Sequence, residues 1–476
     1  MRIAAEWRKD RPAGTTTRWG PGEASLSAKL SIRRDRVCAQ RPEHPWVRCA
    51  MVDRMVEDHR VPAVFFFDRE LDADQLAHAL GKVLGAFSPF GARLRRQGHE
   101  LFLDGQAPSA AFSRVRRSIT MEESIRRLRA GEASQLVDTL SPLHAKRFGG
   151  PLLTARVTQF ADGRSALGMC WHHAVGDIHS FILLMRAWAQ AASGQDFVRP
   201  LVVEDREDYL AQELSRFTGA PSGLRYLSSR QLVGLGLYAL ANARSKRIVT
   251  LYFDEEEGAA LRSAVQADAA THITESDALC AHVLSVVNAC DPTPRARSLS
   301  LAVNYRKRAG LPEGLLGNMV ALLNTSCAAG ARAADVARDV RRGLNHFAEQ
   351  HLDYRANRHF IHAHGGPRRL KRCVPLAIDP QRGAMLVTNW SRLGVYDLAF
   401  GSARPVFFTG MLAAAMPWLG AVFDGSQGHG RLFSLVLPSH VAERMRQPQS
   451  LQALHRYRSR DHYAQRALEH SLPWIH

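Results

Sequence analysis

A histidine and an aspartate four positions apart carry the clearest chemical signal in the sequence. His173 ends an apolar run, and the small residues 174–176 separate it from Asp177. A neutral imidazole can accept a proton at pH 7 and return it, because its unperturbed pKa is about 6.5. The end of a strand is also a position at which a rigid scaffold presents reactive groups. His173 is therefore a candidate general base for an attacking hydroxyl or amine.

The spacing alone is weak evidence for this chemistry. With 21 His and 25 Asp among 476 residues, about one His-x-x-x-Asp pair is expected by chance, and the sequence contains one. A core histidine that is hydrogen-bonded to backbone explains an isolated pair better than a catalytic base does. The elements and motifs around the pair must therefore decide between these interpretations.

Apolar periodicity predicts alternating strands and helices around the pair. A helix should follow it at once, because Phe181, Leu184, Met185 and Trp188 form one apolar stripe. Either Asp72 or Asp74 can cap an earlier helix, and either Thr274 or Ser276 a later one. Strands are predicted at 61–67, 151–160, 166–172, 248–253, 299–304, 384–390, 406–409 and 432–437. This alternation predicts an α/β fold with mixed sheets.

The length and the patterning predict two domains. A chain of 476 residues exceeds what one hydrophobic core usually organises. Between about residues 193 and 226 the periodicity weakens and Gly, Pro and charged residues accumulate, which indicates a connection between domains. The predicted division is a disordered basic tail (1–44), a first domain (45–195), a crossover linker (196–228) and a second domain (229–476), with about 399–423 packing back on the first domain.

Charge and cysteine content bound the partners. The net charge of +18 attracts polyanions, but the arginines are scattered without the aromatic interleaving that a single-strand binder uses, so no nucleic-acid partner is predicted. The seven cysteines are odd in number and lack C-x-x-C spacing, which predicts reduced thiols, a cytoplasmic protein and no metal site. Residues 405–423 are uncharged, but prolines and glycines break the run into strand-length pieces. Buried strands are therefore predicted there, and no membrane partner.

Several further motifs occur in an order that matches one known family. The central one reads His173-x-x-x-Asp177-x-x-Ser180 and is followed by Trp188-Ala189. The others are Phe87-Ser88-Pro89-Phe90-Gly91-Ala92-Arg93-Leu94, Pro151-Leu152-Leu153, Ser276-Asp277-Ala278-Leu279, Val303-Asn304-Tyr305-Arg306, Gly317-Asn318 with Val320, Thr388-Asn389-Trp390, Tyr396-Asp397, and Phe400-Gly401 with Arg404-Pro405. Together they resemble the BAHD acyltransferases over about residues 45–450.

The resemblance implies a fold and an activity. The fold would be two similar chloramphenicol-acetyltransferase-like domains, each a mixed β-sheet with flanking helices, with an active-site channel at their interface. The activity would be transfer of an acyl group from a coenzyme A thioester to the hydroxyl or amine of a small molecule. Acyl-CoA would be a cosubstrate, no cofactor would be bound, and the protein would be a monomer.

The resemblance also implies residue roles. His173 would be the general base. Asp177 would be structural and would pair with Arg306, which fixes the loop and ties the domains together. Thr388 and Trp390 match positions that in some family members donate hydrogen bonds to the tetrahedral oxyanion, as a hydroxyl and an indole N–H are able to do.

One block departs from the family pattern. The family's D-F-G-W-G reads Ala399-Phe400-Gly401-Ser402-Ala403 here, so only Phe400 and Gly401 are retained. In the family this block lies away from the catalytic histidine and supports the fold near the coenzyme A channel, which implies a weaker effect on base catalysis than on donor binding. Ile178 also replaces the glycine that usually follows the motif aspartate.

Two other functions fit parts of the sequence. His172 and His173 together match the H-H-x-x-x-D signature of condensation-type enzymes, which accept their acyl donor from a carrier protein. A noncatalytic protein that kept the fold would explain the altered late block. The block at 87–94 and the late segment favour the acyl-CoA enzyme over the first alternative, and the intact His173 and Asp177 argue against the second.

Overall fold

A computed structural model describes residues 31–39, 42–129, 135–242, 245–268, 271–292, 297–378, 383–410 and 417–459. The strands are β1 Ser31–Cys38, β2 Trp46–Arg48, β3 Arg60–Phe67, β4 Arg93–Gln97, β5 Glu100–Asp104, β6 Ser109–Arg116, β7 Leu153–Gln159, β8 Ser165–His172, β9 Leu224–Tyr226, β10 Lys246–Phe253, β11 Arg297–Asn304, β12 Val320–Cys327, β13 Cys373–Pro375, β14 Ala384–Asn389, β15 Pro405–Gly410, β16 Leu419–Asp424 and β17 Arg431–Pro438.

The α-helices alternate with these strands. They are α1 Met51–Met55, α2 Ala73–Ala86, α3 Ser88–Gly91, α4 Met121–Arg129, α5 Pro142–Phe148, α6 Ile178–Ala192, α7 Arg206–Glu213, α8 Ser229–Asn242, α9 Glu255–Ala267, α10 Glu275–Cys290, α11 Arg306–Ala309, α12 Ala333–Asn345, α13 Phe347–Gln350, α14 Tyr354–Ala363, α15 Ser439–Met445 and α16 Pro448–Leu454. Short 3₁₀ helices occupy Gly366–Arg372, Leu376–Ile378, Val395–Asp397 and Ser426–Gly428.

Two six-stranded mixed sheets organise the molecule. The first has the order β1-β6-β7-β8-β3-β15, and the second has the order β10-β17-β16-β14-β11-β12. Parallel pairs occur between β6 and β7, between β14 and β11, and between β14 and β16, while the other neighbours are antiparallel. Helices α2 and α6 pack together in the first half, and α10 packs on α9 and α12 in the second. Each half has its own apolar core, and the predicted mixed α/β fold is confirmed.

Local sequence signals explain where the principal helices begin. Asp72 caps α2, because its side chain accepts hydrogen bonds from the N–H groups of Asp74 and Gln75. Thr274 caps α10 in a reciprocal capping box with Asp277. The stripe predicted on the helix after His173 is fully buried on α6. These observations choose between the caps that the sequence left open.

The late uncharged segment is divided between the two sheets. Strand β15 pairs with β3 and so extends the first sheet, whereas β16 pairs with β14 and β17 in the second. The second half of the chain thus contributes an edge strand to the first sheet, and the buried strands predicted for 405–423 are present. Among the described residues no helix is long and apolar enough to span a bilayer.

The prediction of a disordered tail over 1–44 is wrong for part of its length. Ser31–Cys38 form the edge strand β1, which pairs with β6 along its whole length, and Trp46–Arg48 form β2 just after the predicted tail. Four of the eight residues of β1 are charged, which masks an edge strand because only one face of such a strand needs to be apolar. Residues 1–30, 40 and 41 lie outside the described residues.

The range predicted as a crossover linker contains regular elements as well as loop. Helix α7 and strand β9 lie within it, and β9 pairs with β13 in a separate two-stranded sheet. A three-stranded sheet, β2-β5-β4, lies beside the first half. Arg206, the first residue of α7, is almost completely buried, so the connection packs between the halves at that point.

Candidate active site

The end of strand β8 places His173 at the junction of the two halves. The strand is buried throughout and is held on both sides, by β3 and β7. The loop that follows is closed by the Trp171 indole, whose Nε1–H donates to the carbonyl oxygen of Gly176 over 3.0 Å. The backbone N–H of His173 donates to the carbonyl oxygen of His59 over 3.0 Å. His173 is half-buried, so its backbone is held in place while part of the residue stays accessible.

Asn318 determines which nitrogen of His173 is free to act. The amide Nδ2 of Asn318 donates to Asp53 Oδ1 at 2.8 Å and to the carbonyl oxygen of His173 at 2.9 Å. Its Oδ1 therefore faces His173 Nδ1, at 3.1 Å. Because an amide oxygen only accepts, Nδ1 carries the hydrogen and Nε2 keeps its lone pair. The network thus holds the tautomer that a general base requires.

A buried ion pair anchors that amide. Asp53 on α1 accepts from Arg206 Nη1 at 3.2 Å and from the N–H of Ala50 at 2.9 Å, and both charged side chains are about 1% exposed. Asp53 belongs to the first half, Arg206 to the connection and Asn318 to the second half. Three distant parts of the chain therefore converge on the imidazole of His173.

The environment keeps both motif histidines neutral. Burial lowers the pKa of His173 below 6.5, and the favourable charge of Asp177 and the hydrogen bond to Asn318 only partly offset this effect. Burial, reinforced by the neighbouring imidazole of His173, lowers the pKa of His172 to about 4. The Nδ1 of His172 accepts from the N–H of Ala174 at 3.3 Å. His172 is thus a buried neutral side chain that shapes the loop.

Asp177 points away from His173 into a different buried network. Its Oδ1 accepts from the N–H of Ser180, which caps α6, and its Oδ2 accepts from the N–H of Met319 at 3.0 Å. Arg306 Nη1 lies 2.8 Å from Oδ2, and Nη2 lies 3.2 Å from Oδ1, which is the pairing that the resemblance implied. Burial alone would raise the pKa of Asp177, but the charge and hydrogen bonds of Arg306 outweigh it and hold the pKa below its usual value.

The same arginine completes a polar joint between the halves. Arg306 is about 1% exposed and also donates to the carbonyl oxygens of Leu315 and Gly317 at 3.0 Å each. The Gly317 carbonyl further accepts from the N–H of Asp177 and from the hydroxyl of Ser180. Gly317 has φ +138°, a conformation that residues with a Cβ rarely adopt. The glycine lets its carbonyl reach all of these donors.

Thr388 and Trp390 lie at the end of β14, on the seam between the sheets. Trp390 Nε1 donates to Thr388 Oγ1 at 3.1 Å. The Trp390 ring lies 6.2 Å from that of Trp171, the residue two positions before His173, and 5.5 Å from that of Phe423. The structure therefore brings this segment against the strand that ends at the candidate base. Because the indole N–H already has an acceptor, the free donor of the pair is the Thr388 hydroxyl.

Two concave surfaces formed by the described residues lie elsewhere. One, of about 310 Å³, is lined by His282, Cys290 and Arg456, and the other, of about 390 Å³, by Arg34, Asp138 and Arg156. Neither is lined by His173. The channel between the halves that the resemblance implied therefore stays a prediction.

The sequence as a whole matches a known family. The profile described as "Transferase family" matches residues 32–447, most of the chain. The chain belongs to the BAHD acyltransferases. It is therefore an enzyme that transfers acyl groups.

Curated relatives of this BAHD protein include both O- and N-acyltransferases. It is 22% identical over 415 residues to limonoid 1-O-acetyltransferase of Citrus sinensis, an alignment that covers 82% of this chain and 89% of the relative. It is 24% identical over 421 residues to hydroxycinnamoyl-CoA:5-hydroxyanthranilate N-hydroxycinnamoyltransferase of Avena sativa, which covers 79% and 89%.

Solved structures share the fold. Vinorine synthase superposes with a TM-score of 0.66 at 18% identity, covering 90% of this chain and 98% of that one. TRI101 of F. sporotrichioides, crystallised with coenzyme A and T-2, superposes with a TM-score of 0.63 at 14% identity, covering 85% and 98%. The two-domain architecture implied by the resemblance is thereby confirmed.

The altered BAHD block is held by the residues that it retains. The Phe400 ring packs edge-on against Phe67 and Trp188, each at 5.6 Å, in the core of the first half. The N–H of Gly401 donates to Ser193 Oγ at 3.1 Å, and its φ of +65° explains why glycine remains there. Phe400 and Gly401 thus support the fold and are not part of the group around His173.

The departure at Ile178 also has a structural explanation. Ile178 is the first residue of α6, Asp177 is the N-cap, and the isoleucine side chain packs against the first core. A helical first turn does not require the conformational freedom of glycine. The substitution is therefore compatible with the loop observed here.

Sequence reasoning missed part of this BAHD site. Asn318 was noted only as part of a Gly-Asn motif, and neither Asp53 nor Arg206 was singled out. Asn318 lies 145 positions from His173, and Asp53 lies 265 positions from Asn318. A polar residue that pairs over such a separation carries no local periodic signal, so only the folded chain identifies these partners.

Proposed function

We propose that this BAHD enzyme transfers an acyl group from a coenzyme A thioester to the hydroxyl or amine of a small molecule, with His173 as the general base. The observation that supports this role most directly is the 3.1 Å contact between Asn318 Oδ1 and His173 Nδ1, which leaves Nε2 as the free basic atom. The names of the two relatives above include one O-acyl and one N-acyl acceptor, so both nucleophiles fit the family.

The chemistry follows from the protonation state of His173. Nε2 accepts the proton of the acceptor's hydroxyl or amine as the oxygen or nitrogen attacks the thioester carbonyl carbon. The carbonyl oxygen becomes an oxyanion, and the C–S bond then breaks as the carbonyl re-forms. The imidazolium returns its proton to the leaving thiolate, which yields free coenzyme A and the acylated acceptor.

Asp177 has a structural role in this proposal. Its carboxylate is already bound to Arg306 and to the N–H groups of Ser180 and Met319, and it does not contact the imidazole. A carboxylate held in this way stays ionised and exchanges no proton during turnover. It keeps the loop and the second half in register, so that the base meets the acyl carbonyl in a reactive geometry.

Thr388 is the proposed donor to the oxyanion, and Trp390 positions it. The indole N–H occupies an acceptor lone pair of the Thr388 oxygen, which orients the hydroxyl hydrogen away from the indole. A donor of this kind contributes because it points to where charge develops. Thr388→Val should therefore reduce kcat by about 10²-fold, whereas Thr388→Ser should retain most of it.

The donor class can be tested in one assay. The purified full chain is offered a panel of acyl-CoA thioesters and the same acyl groups on a phosphopantetheine carrier protein, with a mixture of small alcohols and amines as acceptors. Release of free coenzyme A together with an acylated product from the CoA series supports the proposal. Transfer from the carrier series alone would establish the condensation-type alternative. No transfer from either series would leave a noncatalytic protein and contradict the proposal.

A further inference from the structure

Helix α8 presents an apolar face that no part of the described chain buries. None of its residues is buried, although ten of its twelve residues from Gln231 to Asn242 are apolar or glycine. Val233, Leu237 and Leu240 form an exposed stripe at positions i, i+4 and i+7, and their relative exposures are 63%, 61% and 72%. A Cβ added at Gly234 or Gly236 would meet no atom within 4 Å outside the helix. The leucine stripe, as we call these three residues, thus faces open space.

Positive charge surrounds this stripe. The chain contains no acidic residue between positions 214 and 253, but it contains six Lys or Arg there. A second acid-free stretch, 354–378, contains six more. The pairing of β9 with β13 joins the two stretches in space. Arg358 and Lys371 pair with Glu207 and Asp58, and the remaining Lys and Arg residues of the two segments give this region its positive charge.

Specific contacts place basic groups at both ends of α8. At its N-terminal end, Arg372 Nη2 donates to Ser229 Oγ at 3.0 Å, and Arg369 Nη1 donates to Tyr226 Oη at 3.3 Å. Arg230, on the first turn, is exposed. Just beyond the C-terminal end, Arg247 is exposed on the edge strand β10. The apolar part of α8, from Gln231 to Asn242, is thus flanked by cationic side chains.

We propose that the leucine stripe and the surrounding arginines form a docking surface for an anionic lipid membrane. An interfacial helix buries its apolar face at the boundary between headgroups and acyl chains, while flanking Lys and Arg bind anionic headgroups. The combination observed at α8 matches both requirements. The sequence prediction of no membrane partner considered only spanning segments, and an interfacial helix does not span the bilayer.

Other occupants fit this surface less well. A second copy docked about a two-fold axis would bring the same arginine-rich regions of the two copies against each other, and like charges repel. A nucleic acid would pair with the arginines but would leave the apolar stripe in water. An anionic lipid surface satisfies the charge and the apolar area together, which is why it is the proposed partner.

Vesicle sedimentation tests the proposal on the full chain. We expect binding to phosphatidylcholine vesicles that contain phosphatidylglycerol, much weaker binding to phosphatidylcholine alone, and release as salt screens the headgroup charge. Substituting Val233, Leu237 and Leu240 together by Ser should weaken binding by at least about tenfold. Substituting Arg230, Arg369 and Arg372 together by Glu should weaken it by about fivefold or more for each charge.

Matched substitutions elsewhere control for general effects. Leu143, Phe148 and Val198 are comparably exposed apolar residues outside the stripe, and their triple Ser variant should bind as the wild type does. Arg33, Arg332 and Arg342 are exposed arginines away from α8, and their triple Glu variant removes the same net charge. Near-UV circular dichroism and thermal unfolding check that every variant is folded.

Several results would overturn the docking surface. Wild-type protein that stays in the supernatant with phosphatidylglycerol vesicles at low salt would do so. So would equal binding by the stripe variant, or an equal loss in the charge-matched control. If light scattering shows a wild-type dimer that the stripe variant does not form, the surface is an interface with a second copy. If nucleic acid retains the protein and vesicles do not, the surface binds a polyanion.

Discussion

Two loops of this enzyme are held in place by different kinds of contact. The polar side chains of the segment 171–177 are oriented by hydrogen bonds, several of which come from the other half of the molecule. The segment 399–403 is fixed by one aromatic ring, by backbone bonds to Ser193 and by a glycine in the left-handed region. The first arrangement orients the atoms around His173, and the second anchors a core aromatic ring by packing and by hydrogen bonds to Ser193. Three of the five residues in this block differ from the family pattern, and the retained Phe400 ring packs against Phe67 and Trp188.

The largest effect should come from the proposed base, His173. His173→Ala removes the proton acceptor, and we expect kcat to fall by about 10³- to 10⁴-fold, while the fold is retained. His179→Ala is the matched control, because this neighbouring histidine only contacts the Glu313 carbonyl oxygen, and its turnover should stay near that of the wild type. Steady-state rates and circular dichroism decide the point. Near-normal turnover by His173→Ala would remove this residue from the mechanism.

The next effect should be on folding rather than on chemistry alone. Asp177→Ala leaves Arg306 buried without its partner, and we expect the free energy of unfolding to fall by about 3–5 kcal/mol in urea titrations. Replacing Asp177 and Arg306 together by Leu and Met should cost much less, because no isolated charge remains. A single variant as stable as the wild type would contradict the role of Asp177 as the joint between the halves.

Asp177 should also make the free energy of unfolding depend on pH in the acid range. The pKa of Asp177 is below its usual value in the folded protein, so its contribution is complete above the unfolded pKa of about 4 and is lost as the pH falls through the lower folded value. We therefore expect wild-type stability to decline below about pH 4 more steeply than that of Asp177→Asn. Parallel slopes for the two proteins would exclude this linkage.

Substituting the two residues that the altered block retains, Phe400 and Gly401, should cost less stability, and the two substitutions should differ in cost. Phe400→Ala empties a position between Phe67 and Trp188 and should cost about 3 kcal/mol. Gly401→Ala meets no steric obstacle but must keep a positive φ, so it should cost about 1 kcal/mol. Thermal unfolding measures both. A large loss of kcat in Phe400→Ala, in addition to the loss of stability, would contradict the contrast between the two loops.

The most specific prediction concerns a single hydrogen bond. Asn318→Ala frees the His173 ring and should lower kcat by about 10²-fold. Asn318→Asp places a negative charge beside the imidazole and should raise its pKa. Because burial holds the wild-type pKa below 6.5, the wild-type rate should fall only on the acid side of that value, and the Asp variant should lose rate at a higher pH. An unchanged pH profile in Asn318→Asp would show that the contact is only structural.

Local sequence determined much of the fold, because it determined the helices and strands. The stripe of α6, the caps Asp72 and Thr274, and most strands of the two large sheets, though not β6 and β12, follow from periodicity and from side chains that bond their own backbone. The motif order was sufficient to predict the family. The strand Ser31–Cys38 was missed, because an edge strand with charged residues has no apolar pattern to detect.

Tertiary structure alone decided which side chains meet at the base. Residue types and spacing made His173 the candidate, but its partner Asn318, the ion pair of Asp53 with Arg206, and the hydrogen bond from Trp390 to Thr388 are visible only in the folded chain. No element was predicted for Ser229–Asn242, and only the fold shows that the apolar stripe of α8 lies on the surface. The physical reason is the same in each case. Periodicity reports which face of an element is apolar, whereas the atoms that face each other across two sheets depend on how the whole chain closes.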